Sequence, residues 1–120
     1  MKKIICADDD PGLQDVFPLI FGRAGYQVTM LRGGEQLMEN EFELPDIFLL
    51  DKQLSGADGM EICRFLKGQE STRDIPVIIV SASPNLDRQA KAAGADAFLA
   101  KPFQTRNLLA LLKRFIKDSD

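Results

Sequence analysis

The chain has no histidine and only two cysteines. The missing histidine removes the commonest general base and metal ligand, and it excludes a phosphohistidine on this chain. Cys6 and Cys63 are far apart and have no spacing typical of a metal site, so a disulfide or zinc scaffold is not indicated. Any chemistry must therefore rest on aspartate, serine, lysine or cysteine.

An excess of positive charge and long apolar runs are also lacking. Fifteen basic residues against eighteen acidic ones give a net charge of −3, and no basic cluster forms a face for nucleic acid. Apolar runs such as 77–80 are far shorter than the ~20 residues that span a bilayer. Asp8 follows Met1 too closely for a secretory signal. We expect a cytoplasmic protein with no direct contact to nucleic acid or membrane.

The length of 120 residues fits one domain with one hydrophobic core. The fractions of 45% hydrophobic and 28% charged residues are ordinary for a globular protein. Since no repeat or linker-like change of composition interrupts the chain, we expect a single domain over residues 1–120.

Apolar runs alternate with segments of helical spacing. The runs predict five buried strands at 3–7, 27–31, 46–50, 77–80 and 97–99. The intervening segments predict helices from 10, at 34–40, from 58, at 83–94 and at 105–117. Five strand-then-helix units predict an α/β fold, a doubly wound parallel sheet with helices on both faces.

The first helix has clear sequence signals. Asp10 is expected to cap it and Pro11 fits its first turn, whereas Pro18 should kink it. Its apolar face is predicted to contain Leu13, Val16, Phe17, Ile20 and Phe21.

Two further helix starts are predicted from capping residues. Asp58, with Glu61 three residues later, predicts the start of the third helix. Ser83 and Pro84 predict the start of the fourth, which Gly94 should end.

Polar residues follow four of the predicted strands. They are Asp8, Asp9 and Asp10 after the first strand, Asp51 after the third, Ser81 after the fourth and Lys101 after the fifth. The carboxyl ends of parallel strands meet at one edge, where such sheets bind ligands. Crowded carboxylates are best tolerated around a hard cation, and Mg²⁺ prefers oxygen ligands. Taken singly, each residue has a structural explanation, and we assign Asp10 and Asp58 to helix capping alone.

Four segments in order resemble the receiver domains of bacterial two-component response regulators, over residues 2 to about 117. They read IICADDD at 4–10, LLDKQLSGADG at 49–59, VIIVSA at 77–82 and AGADAFLAKPF at 93–103. The resemblance implies a flavodoxin-like (βα)5 fold and a phosphorylation switch.

The resemblance also implies roles for individual residues. Asp51 would be the phosphoacceptor, and Asp8, Asp9, Asp51 and the main-chain carbonyl of Gln53 would hold Mg²⁺ or Mn²⁺. Ser81 and Lys101 would bind phosphoryl oxygens, as phosphoryl transfer needs its charge neutralised. Phe98 would couple the site to the surface at the fourth and fifth helices.

Some positions depart from the family pattern. Lys52 stands at a commonly apolar position and Ser55 at a usual proline, and Phe98 replaces a frequent tyrosine. The stretch from Ser81 to Lys101 is about two residues short, which should shorten the fourth helix or the loop before it. Gln53 and Ser83 occupy positions that tune loss of the phosphoryl group, and the charge of Lys52 is expected to act there too.

Because the chain has no histidine, the donor would be a sensor histidine kinase or a histidine phosphotransfer protein. No effector domain is expected within the chain, so output would pass to an unknown downstream protein or an effector outside it.

Three alternatives stay open. One is a small Mg²⁺-dependent phosphatase with an aspartyl nucleophile, although Gln53 is no acid for a leaving group and no cap is inserted. Another is a flavin or nucleotide binder, although three acids after the first strand repel phosphate. The last is a degenerate receiver that only binds a partner.

Overall fold

A computed structural model of the chain describes residues 1–54, 56–83 and 85–116. The strands are β1 (Lys2–Ala7), β2 (Tyr26–Leu31), β3 (Ile47–Asp51), β4 (Gln53–Leu54), β5 (Ala57–Asp58), β6 (Val77–Ser81) and β7 (Ala97–Ala100). The helices are α1 (Pro11–Arg23), α2 (Glu35–Met38), α3 (Gly59–Lys67), α4 (Asp87–Ala92) and α5 (Thr105–Phe115). All five predicted strands and all five predicted helices are therefore present.

Five parallel strands form the main sheet in the order β2-β1-β3-β6-β7, and β4 and β5 form a separate antiparallel hairpin. From β1 the chain first adds β2 on one side and then adds the other strands on the opposite side. The strand order thus reverses between β1 and β3, whose carboxyl ends are neighbours. This is the doubly wound (βα)5 sheet predicted from the sequence, and a ligand site is expected at that reversal.

Apolar side chains cover both faces of the sheet, which explains why its strands are continuously hydrophobic. On one face, Ile5 and Ala7 pack with residues of α2, α3 and α4, including Ile62. On the other, Ile4 and Cys6 pack with residues of α1 and α5. Successive residues of β1 point to opposite faces, so this one strand contributes to both halves of the core.

Helix α1 follows the prediction at its start. The Oδ1 of Asp10 accepts a hydrogen bond from the main-chain N–H of Gly12 at 2.8 Å. Pro18 lies within the helix and does not end it. The predicted apolar face was wrong at Val16, which is 44% exposed, whereas Phe17 and Phe21 are buried. Val16 lies about 100° around the helix from Phe17, at the margin of the buried stripe.

Helix α4 is shorter than predicted, and its predicted start at Ser83 was wrong. The N–H of Ser83 donates to Oγ of Ser81 at 3.1 Å, and Asn85 has a left-handed φ of 66°. A right-handed helix cannot include that conformation, so α4 begins only at Asp87. The loss of the first turn agrees with the shortened fourth helix that the spacing predicts. Pro84, the other half of the predicted start, lies outside the described residues, as do Ser55 and Lys117.

Two other helices depart from their predicted details. Helix α2 covers only 35–38 of the predicted 34–40. Asp58 caps α3 as predicted, because its Oδ1 accepts from the N–H of Met60 at 2.9 Å. The carboxylate of Glu61, its expected capping-box partner, accepts a hydrogen bond from Arg64.

Across the described ranges, none of the helices combines the length and the apolar character that a bilayer crossing requires.

Gly59 lies against the main chain of Asp51, and a β-carbon on Gly59 would overlap the Asp51 carbonyl oxygen. We expect Gly59→Ala to lower the free energy of unfolding by about 1–3 kcal/mol, because main-chain atoms must move to admit the methyl group. Gly22, in α1, has open space at the same position, so Gly22→Ala should raise that free energy by about 0.5–1 kcal/mol. Urea denaturation of both variants checks this. Equal effects from the two substitutions would contradict it.

Both thiols are buried, with Cys6 1% and Cys63 0% exposed. Burial raises the pKa of Cys63 to about 11, and burial together with the charge of Asp8 raises that of Cys6 well above its usual range. Since the thiolate is the reactive form, neither cysteine should react with a disulfide reagent at pH 8 in the folded protein. Both should react at once in guanidinium. A fast-reacting thiol in the native protein would show that this burial is wrong.

Candidate functional site

The strand-end residues lie together at one edge of the sheet. A cleft of about 290 Å³ opens there, lined by Asp9, Asp10, Asp51, Gln53, Leu54, Ser81, Ala82, Ser83 and Lys101. Asp8 lies beneath it and is 3% exposed. The topology explains this convergence, because β1, β3, β6 and β7 are parallel neighbours that end at the same edge.

Three carboxylates form the acidic part of the site. Asp8, Asp9 and Asp51 each place one oxygen within 4.8 Å of the others. They differ in burial, since Asp8 is buried, Asp51 is half-buried and Asp9 is exposed to the cleft. A set of three carboxylate oxygens on one side, open on the other, fits a hard divalent cation that keeps waters or takes further oxygen ligands.

Lys101 joins two of these carboxylates. Its Nζ lies 3.0 Å from Oδ2 of Asp8 and 3.4 Å from Oδ2 of Asp51. Burial alone lowers the pKa of the Lys101 ammonium, but the hydrogen bond and charge of Asp8, together with Asp51, raise it overall. The lysine is therefore a fixed positive charge in the site. The main chain at Lys101 is fixed to the end of β6, since its N–H donates to the Ser81 carbonyl at 2.8 Å.

The surroundings of Asp51 disfavour the ionised form of its carboxyl group. Burial first, and the charge of Asp8 next, raise the pKa of the Asp51 carboxyl. Lys101 and a hydrogen bond from the main-chain N–H of Gln53 oppose that rise without cancelling it. An added positive charge near Asp51 would therefore stabilise its ionised form.

Ser81 ends β6 and is buried, with 3% of its surface exposed. Its Oγ accepts a hydrogen bond from the N–H of Ser83, which leaves the hydroxyl proton to be donated elsewhere. Ser83 itself is exposed and lines the cleft. Both serines thus border the space above Asp51.

The hairpin after Asp51 shapes the other wall of the cleft. Gln53 pairs with Asp58 across it, and the N–H of Gly59 donates to the carbonyl of Lys52 at 2.7 Å. The ammonium of Lys52 lies 3.4 Å from Asp58 Oδ2. Asp58 is thus more than the helix cap assigned from the sequence, because it also balances the charge of Lys52.

Phe98 is not among the residues that line the cleft. It pairs with Ile79 in the sheet and packs, half-buried, against the core that includes α3 and α4.

Gln14 was missed by the sequence analysis. Its side-chain amide donates to the main-chain carbonyl of Asp8 at 2.6 Å. The sequence did offer one signal for it. Gln14 is a polar residue between the apolar Leu13 and Phe17, on the side of α1 that faces the sheet, one turn after the capping residue Asp10.

The comparisons with known proteins agree with this geometry. A sequence model described as "Response regulator receiver domain" matches residues 4–113. The DNA-binding dual master transcriptional regulator RpaA of Synechocystis sp. is 32% identical over 123 residues, covering 100% of this chain and 51% of RpaA. The phosphate regulon transcriptional regulatory protein PhoB of Pseudomonas aeruginosa is 33% identical over 122 residues, covering 97% of this chain and 52% of PhoB.

The chain thus spans about half the length of the curated relatives it matches. Among solved structures, the receiver domain of the sensor histidine kinase PA1611 from Pseudomonas aeruginosa PAO1 superposes with a TM-score of 0.87. It is 32% identical, the match covers 98% of both chains, and it has a magnesium ion coordinated in its active site cleft. The fold, the acidic edge of the sheet and the match over 4–113 lead to one conclusion: the chain belongs to the response regulator receiver domains.

Proposed function

We propose that this chain is a phosphorylation-dependent switch of a two-component phosphorelay, with Asp51 as the phosphoacceptor. The observation that carries the proposal is the arrangement of Asp8, Asp9 and Asp51 around one point, with Lys101 bound to two of them. In the reaction, a carboxylate oxygen of Asp51 attacks the phosphorus of a partner's phosphohistidine. The N–P bond breaks, an acyl phosphate forms, and the histidine leaves with the electron pair.

The residues present fit a divalent cation. Asp8, Asp9, Asp51 and the main-chain carbonyl of Gln53 would hold Mg²⁺ or Mn²⁺, which when bound neutralises negative charge on the carboxylates and the phosphoryl oxygens. Support comes from the PA1611 receiver domain, which holds magnesium in its cleft.

The chain's own residues have distinct tasks in the transfer. The Asp51 carboxylate accepts hydrogen bonds from the main-chain N–H of Gln53 and from the ammonium of Lys101. Lys101 is already protonated, so it meets an incoming phosphoryl oxygen without first acquiring a proton. The Ser81 hydroxyl donates to a second phosphoryl oxygen. Gln53 and Ser83 both line the cleft, and there they border the path of a water that would later remove the group.

The switch begins at Ser81 and ends at the surface. When the Ser81 side chain rotates to bring its hydroxyl to the phosphoryl group, Oγ moves away from the Ser83 N–H, and the hydrogen bond that holds Ser83 rearranges. Phe98 packs on the same side of the sheet as α4, so it responds by repacking its ring. The surface around α4 and α5 then changes its affinity for a partner. Lys52 acts through its pair with Asp58 on the hairpin that carries Gln53.

The partners follow from this chemistry. The donor is a sensor histidine kinase or a histidine phosphotransfer protein, and the output passes to a downstream protein or an effector outside residues 1–120. In this role the chain works in the cytoplasm, touches no nucleic acid directly, and catalyses only its own phosphorylation and slow dephosphorylation.

Fluoroberyllate with Mg²⁺, a mimic of aspartyl phosphate, tests the proposal. We expect it to shift the amide NMR signals of Asp51, Ser81 and Phe98, because it occupies the place of the phosphoryl group on Asp51. Asp51→Asn should abolish these shifts, since the amide cannot bond beryllium as the carboxylate does. Asp15→Asn, which removes an exposed acid of α1, is the matched control and should respond like the wild type. Shifts that persist in Asp51→Asn would refute Asp51 as the acceptor.

Because the ionised form of Asp51 is disfavoured in the fold, removing this carboxylate should stabilise the protein. Because burial and Asp8 raise the pKa of this carboxyl, its ionised form destabilises the folded protein, and a neutral amide of the same shape relieves that cost. Without Mg²⁺ at pH 7, Asp51→Asn should unfold at a higher temperature than the wild type. Adding Mg²⁺ should raise the unfolding temperature of the wild type by more than it raises that of Asp51→Asn. Asp15→Asn again serves as control. A lower midpoint for Asp51→Asn would contradict this account of the site.

A further inference from the structure

Gln14 holds the main chain from which the metal-binding acids project. It lies half-buried in the first turn of α1, where its N–H donates to the Asp10 carbonyl at 3.0 Å. Its side-chain Nε2 donates to the Asp8 carbonyl at 2.6 Å and to the Leu31 carbonyl at 3.1 Å. Both partners are pure acceptors, so the nitrogen of the amide must face them. One side chain thereby ties α1 to the ends of β1 and β2.

Asp8 is the first residue beyond β1, so the sheet no longer fixes its whole main chain. Its N–H still donates to the Leu31 carbonyl at 2.9 Å, whereas its carbonyl accepts from Gln14. Its carboxylate accepts from the N–H of Asp10 at 3.0 Å and from Lys101. Gln14 thus fixes the Asp8 carbonyl, the group that forms the peptide bond to Asp9.

That carbonyl matters because of the planar peptide bond. The C=O of Asp8 and the N–H of Asp9 belong to one rigid plane, so fixing the carbonyl also fixes the direction in which Asp9 leaves. The hydrogen bond from α1 therefore helps to set the direction of both carboxylates that lie within 4.8 Å of Asp51. Groups that orient metal ligands in this way typically alter affinity when they are removed.

We propose that Gln14 is a positioning residue that aligns Asp8 and Asp9 for the divalent cation, through the Asp8–Asp9 peptide. The proposal rests on the proposed function, because it takes these two acids to be metal ligands. It assigns Gln14 no contact with the cation or with the phosphoryl group.

Substitution by methionine tests the proposal, because methionine keeps the length of the side chain and loses both N–H donors. We expect Gln14→Met to weaken Mg²⁺ binding about tenfold, read from NMR titration of the Asp8–Asp10 amides. Phosphorylation by acetyl phosphate should need correspondingly more Mg²⁺ and reach the wild-type rate at saturation. This split separates positioning from loss of fold, which would lower the maximal rate at every Mg²⁺ concentration.

Gln36→Met makes the same chemical change at an exposed position of α2 and should bind Mg²⁺ like the wild type. Unchanged affinity in Gln14→Met, or equal weakening in both variants, would overturn the proposal. Should Gln14→Met fail to fold, the wild type supplies the decisive measurement. Its Gln14 side-chain NH₂ signals should move on Mg²⁺ binding while those of Gln36 stay, and static Gln14 signals would overturn the proposal. A wild type that binds no Mg²⁺ would instead overturn the proposed function.

Discussion

The repulsion among three carboxylates at one sheet edge is the constraint on which the rest of the site depends. Parallel topology brings Asp8, Asp9 and Asp51 to one place, and burial makes the charge of Asp51 costly. Lys101 compensates part of that charge from the end of β7. The site therefore combines repulsive and attractive charges from strands that are distant in sequence. An added cation or phosphoryl group changes this balance of charge directly.

The surroundings of Asp51 show how packing supports this charged edge. The main chain at Asp51 is pressed against Gly59 at the start of α3, and Asp58 both caps that helix and pairs with Lys52. Asp8 forms hydrogen bonds through its main-chain N–H, its carbonyl and its carboxylate. Asp8 and Asp51 keep their geometry despite their repulsion because main-chain groups and the oppositely charged Lys101 contact both of them.

The fold and the membership of the site were largely predictable from the sequence, for particular physical reasons. Continuous apolar runs such as Ile47–Leu50 mark strands covered on both faces, and the polar residue after each strand must lie at the common edge. The start of α4 was not predictable, since Ser83 and Pro84 carry ordinary capping signals in the sequence, whereas the left-handed conformation of Asn85 is incompatible with the helix. Gln14 was missed because its partners are main-chain carbonyls, which residue types do not reveal, so its polar side chain on the sheet-facing side of α1 was the only sign.

The displaced start of α4 bears on how easily a signal can leave the site. At six residues, the helix is too short to be stable by itself and depends on packing. Its buried anchors, Ala90 within the helix and Ala93 just after it, are among the smallest apolar side chains and bury little area. Helix α4 is thus secured to this face of the sheet by little buried apolar area. In the proposed switch, a rearrangement that begins at the Ser81 hydroxyl would meet little resistance at α4, and it would spread outward while the tightly packed strands stay in place.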